Sequence, residues 1–482
     1  MLSYYLLCSG GDFYLSKCII FESRAGNKYF YDDLTGHIVN IENDKELESY
    51  INKYREIKKP KDVFNNEVNS KDIYDYFISD GNGFKQLILE VTTKCNFRCK
   101  YCTYSDNYEF TRAHGSNFMT FDTAKLAIDY YMENFEKVYH RNFERAPIIS
   151  FYGGEPFLNF DLIENVVAYL NTNYKKYKES FQFHTTTNGY LLNEKIQDFL
   201  YKNKFNVLVS IDGYKENHDR NRVLTNGVPT FDKVYENYLN FKKRYPDASV
   251  HVSACYDYKT DMNKLSIEAD EKQVDVLRAS LITSSDEYYK QFSQSDREKF
   301  AENFSKFKNS FFEKAAAEKL SKSEFLYKFF IDVYGSFAYH RMINEDCPSI
   351  RPFTGTCVPG EKIYVEADGN FIICEKTNNR EKIGNVYQGL NYDKIAEIMQ
   401  NFNKTMNDKC SICNISRLCN LCFKDFCSEK AFCFDEKKCI NQIESTKQLL
   451  EDYVNLLEQN PKLFEEITTD YYSKIASAGG TI

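Results

Sequence analysis

The sequence lacks a hydrophobic run long enough to cross a membrane. None of its apolar stretches approaches the roughly 20 residues that a transmembrane helix needs, and residues 1–8 show no basic segment ahead of a long apolar one, as a secretory signal would. It also lacks a basic excess, because 62 Lys and Arg residues face 70 Asp and Glu residues and leave a formal net charge of −8. We therefore expect a cytoplasmic protein with no nucleic-acid and no membrane partner.

The chain of 482 residues is too long for one ordinary hydrophobic core, and about 150 residues per domain indicates about three domains. Its 16 cysteines would stay reduced in the cytoplasm, which favours metal ligands over a disulfide framework. Three cysteines lie within residues 95–102 and ten within residues 347–439. The other three, Cys8, Cys18 and Cys255, are scattered and are interpreted as structural.

The hydrophobic pattern changes near residue 80. Before it, alternating aromatic and polar residues predict a small sheet, followed by helices at 44–57 and 70–78. After it, short apolar strands alternate with amphipathic helices, as in repeated βα units on a parallel sheet. The predicted strands are 86–93, 147–152, 181–187, 206–211, 249–256 and 274–282. The predicted helices are 121–138, 160–177, 194–203 and 231–244.

The pattern as a whole predicts the α/β fold class. In residues 284–345, phenylalanines at spacings of three and four predict a helix that packs on the sheet. They are Phe300, Phe304, Phe307 and Phe311. The chain beyond about Tyr472 is expected to lack regular structure.

Cys95, Cys99 and Cys102 form a CxxxCxxC motif directly after the first of these βα strands. Three thiolates can hold a cluster of four irons and leave one iron open for chemistry, whereas a fourth ligand would give an electron carrier. Zinc binding and simple burial are the alternatives. The motif resembles that of the radical S-adenosylmethionine (radical SAM) enzymes, a family that places an aromatic residue, here Tyr101, before the third cysteine.

The resemblance implies a 4Fe-4S cluster whose open iron binds the amino and carboxylate groups of S-adenosylmethionine (SAM). In that family an electron from the cluster cleaves SAM to a 5'-deoxyadenosyl radical, which abstracts hydrogen from the substrate. The electron would come from an external reductant of the flavodoxin or ferredoxin type. The implied fold is a partial (β/α)6 TIM-like barrel.

Further strand-end residues resemble the family's SAM pocket. Gly153, Gly154 and Glu155 match its GGE motif, in which glycines let the backbone approach the ammonium group. Ser210 resembles the serine that contacts the ribose, and Arg222 resembles the arginine that holds the carboxylate, a task that suits a guanidinium fork. The GGE motif and the Ser210 segment end predicted strands, where a parallel barrel gathers its active site, and Arg222 follows twelve residues after Ser210.

The C-terminal cysteines resemble the SPASM extension of radical SAM proteins, which holds two auxiliary 4Fe-4S clusters. The spacing is Cx11Gx4C, with Gly369 at the G, followed by Cx2Cx5C. The resemblance implies that one cluster takes Cys347, Cys357, Cys374 and Cys422 and the other takes Cys410, Cys413, Cys419 and Cys439. The family pattern continues Cx3C after the third cysteine of Cx2Cx5C, whereas this chain has Cx2C from Cys419 to Cys422. Cys427 and Cys433 are extra, so ten cysteines compete for eight positions and the fourth ligand of each cluster stays open. A zinc domain is the alternative.

Five segments follow from the pattern and the resemblance together. Residues 1–82 form an α+β domain, which is either a leader-peptide recognition element or an ordinary cap. The rest divides into the radical SAM barrel (83–283), a helical bridging region (284–345), the SPASM domain (346–445) and a C-terminal helix and tail (446–482).

The resemblance implies an enzyme that modifies a ribosomally made precursor peptide carrying a leader, by forming Cys thioether crosslinks. An anaerobic sulfatase-maturating enzyme, which makes formylglycine, and a maturase forming Tyr or Phe carbon crosslinks are alternatives within the family. An iron-sulfur electron-transfer protein is the alternative from another class. Sulfatase maturases carry an aspartate base after the cysteine that matches Cys374, whereas this chain has Glu375, a candidate catalytic base.

Overall fold

The fold is given by a computed structural model, which describes residues 17–42, 67–105, 113–139, 145–282, 286–338, 357–377, 381–427 and 432–477, together with 45 and 49. Cys8, Cys347 and nearly all of the predicted helix 44–57 lie outside the described residues. Within these ranges, no helix is long and apolar enough to cross a membrane.

The N-terminal strands form an antiparallel sheet in the order β1-β2-β3, which confirms the predicted small sheet. The strands are β1 (Cys18–Glu22), β2 (Lys28–Asp32) and β3 (His37–Asn40). The predicted helix at 70–78 is also confirmed: α1 (Ser70–Tyr74) continues into a π-helical turn at Asp75–Ser79. Asn69 begins α1 because its side chain accepts hydrogen bonds from the Lys71 and Asp72 backbone amides.

Parallel strands follow in sequence order from β4 to β9 and confirm all six predicted βα strands. They are β4 (Gln86–Thr92), β5 (Ile148–Gly153), β6 (Gln182–Thr187), β7 (Asn206–Ser210), β8 (Val250–Tyr256) and β9 (Val276–Leu281). Between them lie α2 (Phe121–Tyr139), α3 (Phe160–Asn173), α4 (Glu194–Lys202), α5 (Lys215–Asn221), α6 (Phe231–Arg244) and α7 (Met262–Glu271). Short 3-10 turns cover Pro156–Asn159 and Lys175–Tyr177.

The two faces of this sheet differ. Along β6, Phe183, Thr185 and Thr187 are buried, whereas the residues between them are only partly buried. Phe183 stacks on Phe205 at a ring-centroid distance of 5.2 Å within the core between sheet and helices. Since successive side chains of a strand point to opposite faces, the second face lines the more accessible interior of an open, partial barrel.

Four more strands extend the sheet from its β4 edge to ten strands within the described residues. They are β10 (Lys362–Val365), β11 (Asn370–Ile372), β12 (Lys382–Asn385) and β13 (Gly389–Leu390). β10 runs parallel to β4, with Lys362 opposite Gln86, and the others follow antiparallel. The sequence did not predict this continuation, which joins the cysteine-rich C-terminal region to the barrel.

Helices complete the molecule. They are α8 (Asp286–Tyr289), α9 (Gln294–Ala316), α10 (Phe325–Phe330), α11 (Tyr392–Cys410), α12 (Phe423–Phe426), α13 (Glu436–Gln459) and α14 (Pro461–Ser477), with a π-helical turn at Ile331–Gly335. The predicted phenylalanine helix is confirmed as α9, whose Phe300 stacks on Tyr256 of β8. The expectation of no regular structure beyond Tyr472 is wrong up to Ser477, because Lys474 ties α14 to Asp332 and to the Leu277 carbonyl.

Candidate active site at the strand ends

The CxxxCxxC loop leaves the carboxyl end of β4 and is anchored to the segment after α5. Arg98 and Lys100 donate their backbone N–H groups to the Val223 and Asn221 carbonyls at 2.8 and 3.0 Å. Burial, with the charges of Glu155 and Cys102, raises the pKa of the Cys95 thiol to about 12, and burial with the charges of Cys102 and Cys95 raises that of Cys99. The three partly buried thiols are therefore close enough to act on one another electrostatically.

Gly153 and Gly154 allow the end of β5 to lie directly against this loop. A Cβ atom on Gly153 would stand 2.2 Å from the Thr92 carbonyl oxygen, and one on Gly154 would stand 2.3 Å from the Lys94 carbonyl oxygen. The Gly154 N–H donates to the Thr92 carbonyl at 2.8 Å. No residue with a side chain fits at either position without moving the cysteine loop.

Glu155 is fully buried and joins the ends of β5 and β6. Its carboxylate accepts hydrogen bonds from the Thr187 hydroxyl at 2.7 Å and from the Asn188 and Phe157 backbone N–H groups at 2.8 and 3.2 Å. Burial raises its pKa to about 7, against the opposing effect of these donors. The Asn188 side chain then donates to Asn96 Oδ1 at 2.8 Å, which links β6 to the cysteine loop.

Arg222 lies between the cysteine loop and the end of β7, and only 8% of it is exposed. Its Nε is 3.1 Å from Asp212 Oδ2, its Nη1 is 3.9 Å from Cys99 Sγ, and its guanidinium lies 5.3 Å from the Tyr101 ring centroid. Burial lowers the pKa of Arg222, but the negative charges of Asp212 and of the nearby Tyr101, Cys99 and Cys255 together outweigh this effect and leave the pKa raised. The buried Nε–H is not aimed for a hydrogen bond to Asp212 and so stays available to a ligand.

Asp212 is the residue that sequence reasoning missed. It is fully buried and accepts a hydrogen bond from the Tyr101 hydroxyl at 2.5 Å and from the Cys255 backbone N–H at 2.9 Å, in addition to its ion pair with Arg222. The signal was present, since Asp212 stands just after strand β7 in the segment Ser-Ile-Asp-Gly. Ser210 ends β7 and is buried, and within the described residues its hydroxyl makes no hydrogen bond.

Eight of the nine described C-terminal cysteines, all except the exposed Cys433, fall into two groups by their mutual electrostatic effects. The first group contains Cys357, Cys374, Cys422 and Cys427, and the second contains Cys410, Cys413, Cys419 and Cys439. In each group burial is the main cause of raised thiol pKa values, and the charges of group members add to it. In the described ranges, no three His, Cys, Asp or Glu side chains are close enough to hold a single metal ion.

Glu375 follows Cys374 and lies close to the charged side chain of Lys362 on β10. Burial lowers the pKa of Lys362, and the charge of Glu375 opposes this effect. The charge of Lys362 also acts on His184 of β6, where burial and this charge together lower the imidazole pKa to about 4. Glu375 therefore lies near the first cysteine group, beside a lysine whose charge extends to β6.

Comparisons with known proteins agree with this geometry. The radical SAM superfamily model matches residues 89–263. The chain is 31% identical over 170 residues to the radical SAM cyclopropyl synthase TigE of Paramaledivibacter caminithermalis, a match that covers 33% of this chain and 34% of the relative. It is 25% identical over 346 residues to the cysteine-type anaerobic sulfatase-maturating enzyme of Clostridium perfringens, covering 69% and 86%.

A solved structure of native anSMEcpe with bound AdoMet and Cp18Cys peptide shares the fold. It matches with a TM-score of 0.56 and 21% identity, over 77% of this chain and 99% of that one. The chain spans only about a third of TigE but most of the sulfatase-maturating enzyme. The chain therefore carries a radical SAM domain, the kind of domain that binds SAM and a 4Fe-4S cluster, and is related to the anaerobic sulfatase-maturating enzymes.

Proposed function

We propose that the chain is a radical SAM enzyme that modifies a ribosomally made peptide and forms thioether crosslinks from its cysteines. One observation carries the proposal: the buried guanidinium of Arg222 reaches both Asp212 and Cys99, so a carboxylate binder stands beside a cluster cysteine. The residues fit a SAM-bearing cluster, because Arg222 has a buried N–H without a hydrogen-bond partner among the described residues and Gly153 and Gly154 let the end of β5 lie against the cysteine loop.

Each residue takes a defined role in this proposal. Cys95, Cys99 and Cys102 hold the 4Fe-4S cluster, and Arg222 binds the SAM carboxylate with its fork. The carbonyls near Gly153 and Gly154 accept hydrogen bonds from the SAM ammonium group, and the Ser210 hydroxyl meets the ribose. Tyr101 packs under the Arg222 guanidinium and keeps it in place. When bound, the cluster and SAM supply a 5'-deoxyadenosyl radical that removes a hydrogen atom from the substrate.

The proposed product follows from what must leave the peptide. A carbon–sulfur bond between a cysteine and another residue forms as one hydrogen atom, one proton and one electron depart. The two C-terminal cysteine groups would hold auxiliary 4Fe-4S clusters, whose chemistry is to accept such an electron. The Cys-Glu-Lys sequence at residues 374–376 favours a peptide maturase over a sulfatase maturase, in which an aspartate is expected at this position.

A peptide partner is supported by a solved relative of the same fold that binds the Cp18Cys peptide. Residues 1–82 are proposed to bind the leader of the precursor. Within the described residues, β3 is an edge strand of this sheet and pairs with β2, and an edge strand is the place where a peptide strand is added. The proposed electron donor is an external flavodoxin- or ferredoxin-type protein.

Formylglycine formation is the second candidate, favoured by the alignment over 69% of this chain to a cysteine-type anaerobic sulfatase-maturating enzyme. In that reaction a cysteine Cβ loses a hydrogen atom, then an electron and the thiol proton, and water replaces the sulfur, which leaves as hydrogen sulfide. Glu375 would be the base that takes the proton. The two products differ in mass, because a crosslinked peptide is lighter by two hydrogen atoms and keeps its sulfur. A Tyr or Phe carbon crosslink also removes two hydrogens, but it leaves the cysteine thiols free to alkylate.

We expect the anaerobically purified protein to release 5'-deoxyadenosine when incubated with SAM and dithionite. Cys99→Ala is expected to abolish this release, because two remaining thiolates cannot hold the cluster. Cys18→Ala, which changes a cysteine of β1, is the matched control and should retain it. Absence of 5'-deoxyadenosine from an iron-loaded wild-type protein would instead support an electron-transfer protein. Liquid chromatography with mass detection checks both outcomes.

Gly154→Ala is expected to lower 5'-deoxyadenosine formation by about 10- to 100-fold, since overpacking costs about 1–3 kcal/mol. The added methyl group would meet the Lys94 carbonyl and the Cys95 side chain. Gly227→Ala is the control, because its Cβ would meet nothing within 4 Å although φ is +82°. It therefore tests backbone strain without crowding. Equal losses in the two variants would contradict a role of Gly154 in seating the cysteine loop.

A further inference from the structure

The N-terminal sheet is bonded to the loop between Cys413 and Cys419. Asp33, directly after β2, is 2% exposed and accepts hydrogen bonds from the Ser416 hydroxyl and from the Arg417 backbone N–H, the latter at 2.9 Å. The Arg417 guanidinium donates back to the Leu34 carbonyl at 2.8 Å. A single buried carboxylate thus fixes two successive residues of a loop that ends in cysteines on both sides.

Packing joins the same two regions. One hydrophobic cluster contains residues of the sheet, of this loop and of α13, including Ile19, Phe21, Tyr31, Ile415, Leu418 and Tyr453. Cys413 packs against the edge of that cluster. The Tyr31 hydroxyl also donates to Asp33 at 3.0 Å, which holds the carboxylate in its orientation toward the loop. The loop has no separate core of its own, because its apolar side chains are buried against the sheet.

The charge of Asp33 also acts on two cysteine thiols of the second group. The pKa values of Cys410 and Cys413 are raised to about 12, mainly by burial, and the negative charge of Asp33 contributes to both while Lys17 opposes it. Asp33 is therefore close enough to act electrostatically on two cysteines of the second group. The Asp33 carboxylate therefore affects the conformation of the loop and also the electrostatic potential at a metal centre bound by these thiols.

We propose that the N-terminal sheet is an integral wall of the second auxiliary metal centre, with Asp33 as the positioning residue that holds the loop from Cys413 to Cys419. The inference rests on the proposed function, which assigns an auxiliary 4Fe-4S cluster to Cys410, Cys413, Cys419 and Cys439. It extends that function, because the sheet proposed to bind a leader and the metal centre then belong to one packed unit.

The test uses the full chain, purified and reconstituted anaerobically. Wild type should hold about twelve irons in three clusters, and Asp33→Ala should hold about eight, because the loop loses its anchor. SAM cleavage to 5'-deoxyadenosine without peptide should continue in Asp33→Ala, since that reaction uses only the Cys95–Cys99–Cys102 site. Asp33→Asn keeps the shape but removes a negative charge, so the reduction potential of one auxiliary cluster should shift to a more positive value. Redox titration followed by electron paramagnetic resonance measures that shift.

Asp452→Asn is the matched control. Asp452 is also a buried carboxylate, located on α13, but it bonds to Lys308 and Tyr334. It should keep all irons and unchanged potentials. The inference is overturned if Asp33→Ala keeps its full iron content or if the reduction potential is unchanged in Asp33→Asn. If the alanine variant fails to fold, the potential of Asp33→Asn alone decides between the two outcomes. A wild-type chain with about four irons overturns the auxiliary clusters themselves, and this inference with them.

Discussion

Arg222→Lys is expected to weaken the binding of SAM about 10- to 100-fold while the protein stays folded and keeps its iron. A hydrogen bond to a charged group is worth about 1.5–3 kcal/mol, and each 1.4 kcal/mol is a tenfold change in affinity. Lysine keeps the positive charge that Asp212 needs but loses the fork that meets a carboxylate at two points. Anaerobic titration with SAM, followed by the change in the spectrum of the cluster, measures the affinity.

Arg220→Lys is the matched control, because Arg220 lies two residues away and pairs elsewhere. Its Nη1 is 2.7 Å from Asp257 Oδ2, and its Nη2 donates to Asn217 Oδ1. A lysine there can keep the ion pair with Asp257, and we expect the SAM affinity to stay unchanged. A similar loss in both variants, or no loss in Arg222→Lys, would contradict the assignment of the carboxylate to Arg222.

Asp212 is the ion-pair partner of Arg222, so the lysine variant tests the two-point guanidinium contact separately from the positive charge at position 222. Breaking a buried ion pair by removing one partner costs about 3–5 kcal/mol, because it leaves an uncompensated charge. Arg222→Ala would therefore confuse lost stability with lost ligand binding. The ion pair at 3.1 Å and the Tyr101 hydrogen bond at 2.5 Å hold the Asp212 carboxylate from two sides. Lysine at position 222 leaves that carboxylate a counter-ion.

The repeated βα units were predictable from sequence because their signals are local. In β6, three of the six residues are threonines, a β-branched type that favours strands, and this signal lies within a window of six residues. The helix after it, α4, has an N-cap at Asn193, whose side chain accepts from the Ile196 N–H. The strand-end motifs could then be placed on one edge, because carboxyl ends of parallel strands meet there.

Contacts between distant parts of the chain could not be read in this way. Strand β10 has only four residues, and nothing in them identifies β4 as the partner. The Tyr364 hydroxyl donates to Glu90 Oε1 at 3.1 Å across a separation of 274 residues. Asp33 and its loop are likewise separated by more than 380 residues. Such pairings depend on how the strands and helices pack in three dimensions, and the hydrophobic periodicity of the sequence contains no information on that packing.

The first C-terminal cysteine group leads to the other large expected effect. Cys422→Ser should lose about four of about twelve irons, because its thiol belongs to the group that also contains Cys357 and Cys374. Cys433→Ser is the control and should keep them all, since Cys433 is exposed. Iron analysis and the spectrum of the reduced protein measure both. Retention of all irons in Cys422→Ser would contradict the assignment.

The same measurement decides the fourth ligand of that cluster. The family pattern gives this cluster Cys347, Cys357, Cys374 and Cys422, whereas Cys427 also stands near Cys374 and Cys422, whose charges add to the effect of burial on its thiol pKa. Helix α12 separates Cys422 from Cys427 and is held by ring contacts of Phe423 and Phe426 with Phe402, at 4.5 and 6.1 Å.

Because α12 is held by these contacts, Cys427 lies close to the first cysteine group whether or not Cys427 itself binds iron. Cys347→Ser and Cys427→Ser should therefore differ: the variant that loses about four irons identifies the ligand, because a 4Fe-4S cluster takes four thiolates and Cys357, Cys374 and Cys422 leave one place for either Cys347 or Cys427. Loss in Cys427→Ser alone would show that the shift from Cx3C to Cx2C after Cys419 is accompanied by a change of ligand. Loss in Cys347→Ser alone would leave Cys427 as a free thiol beside the cluster.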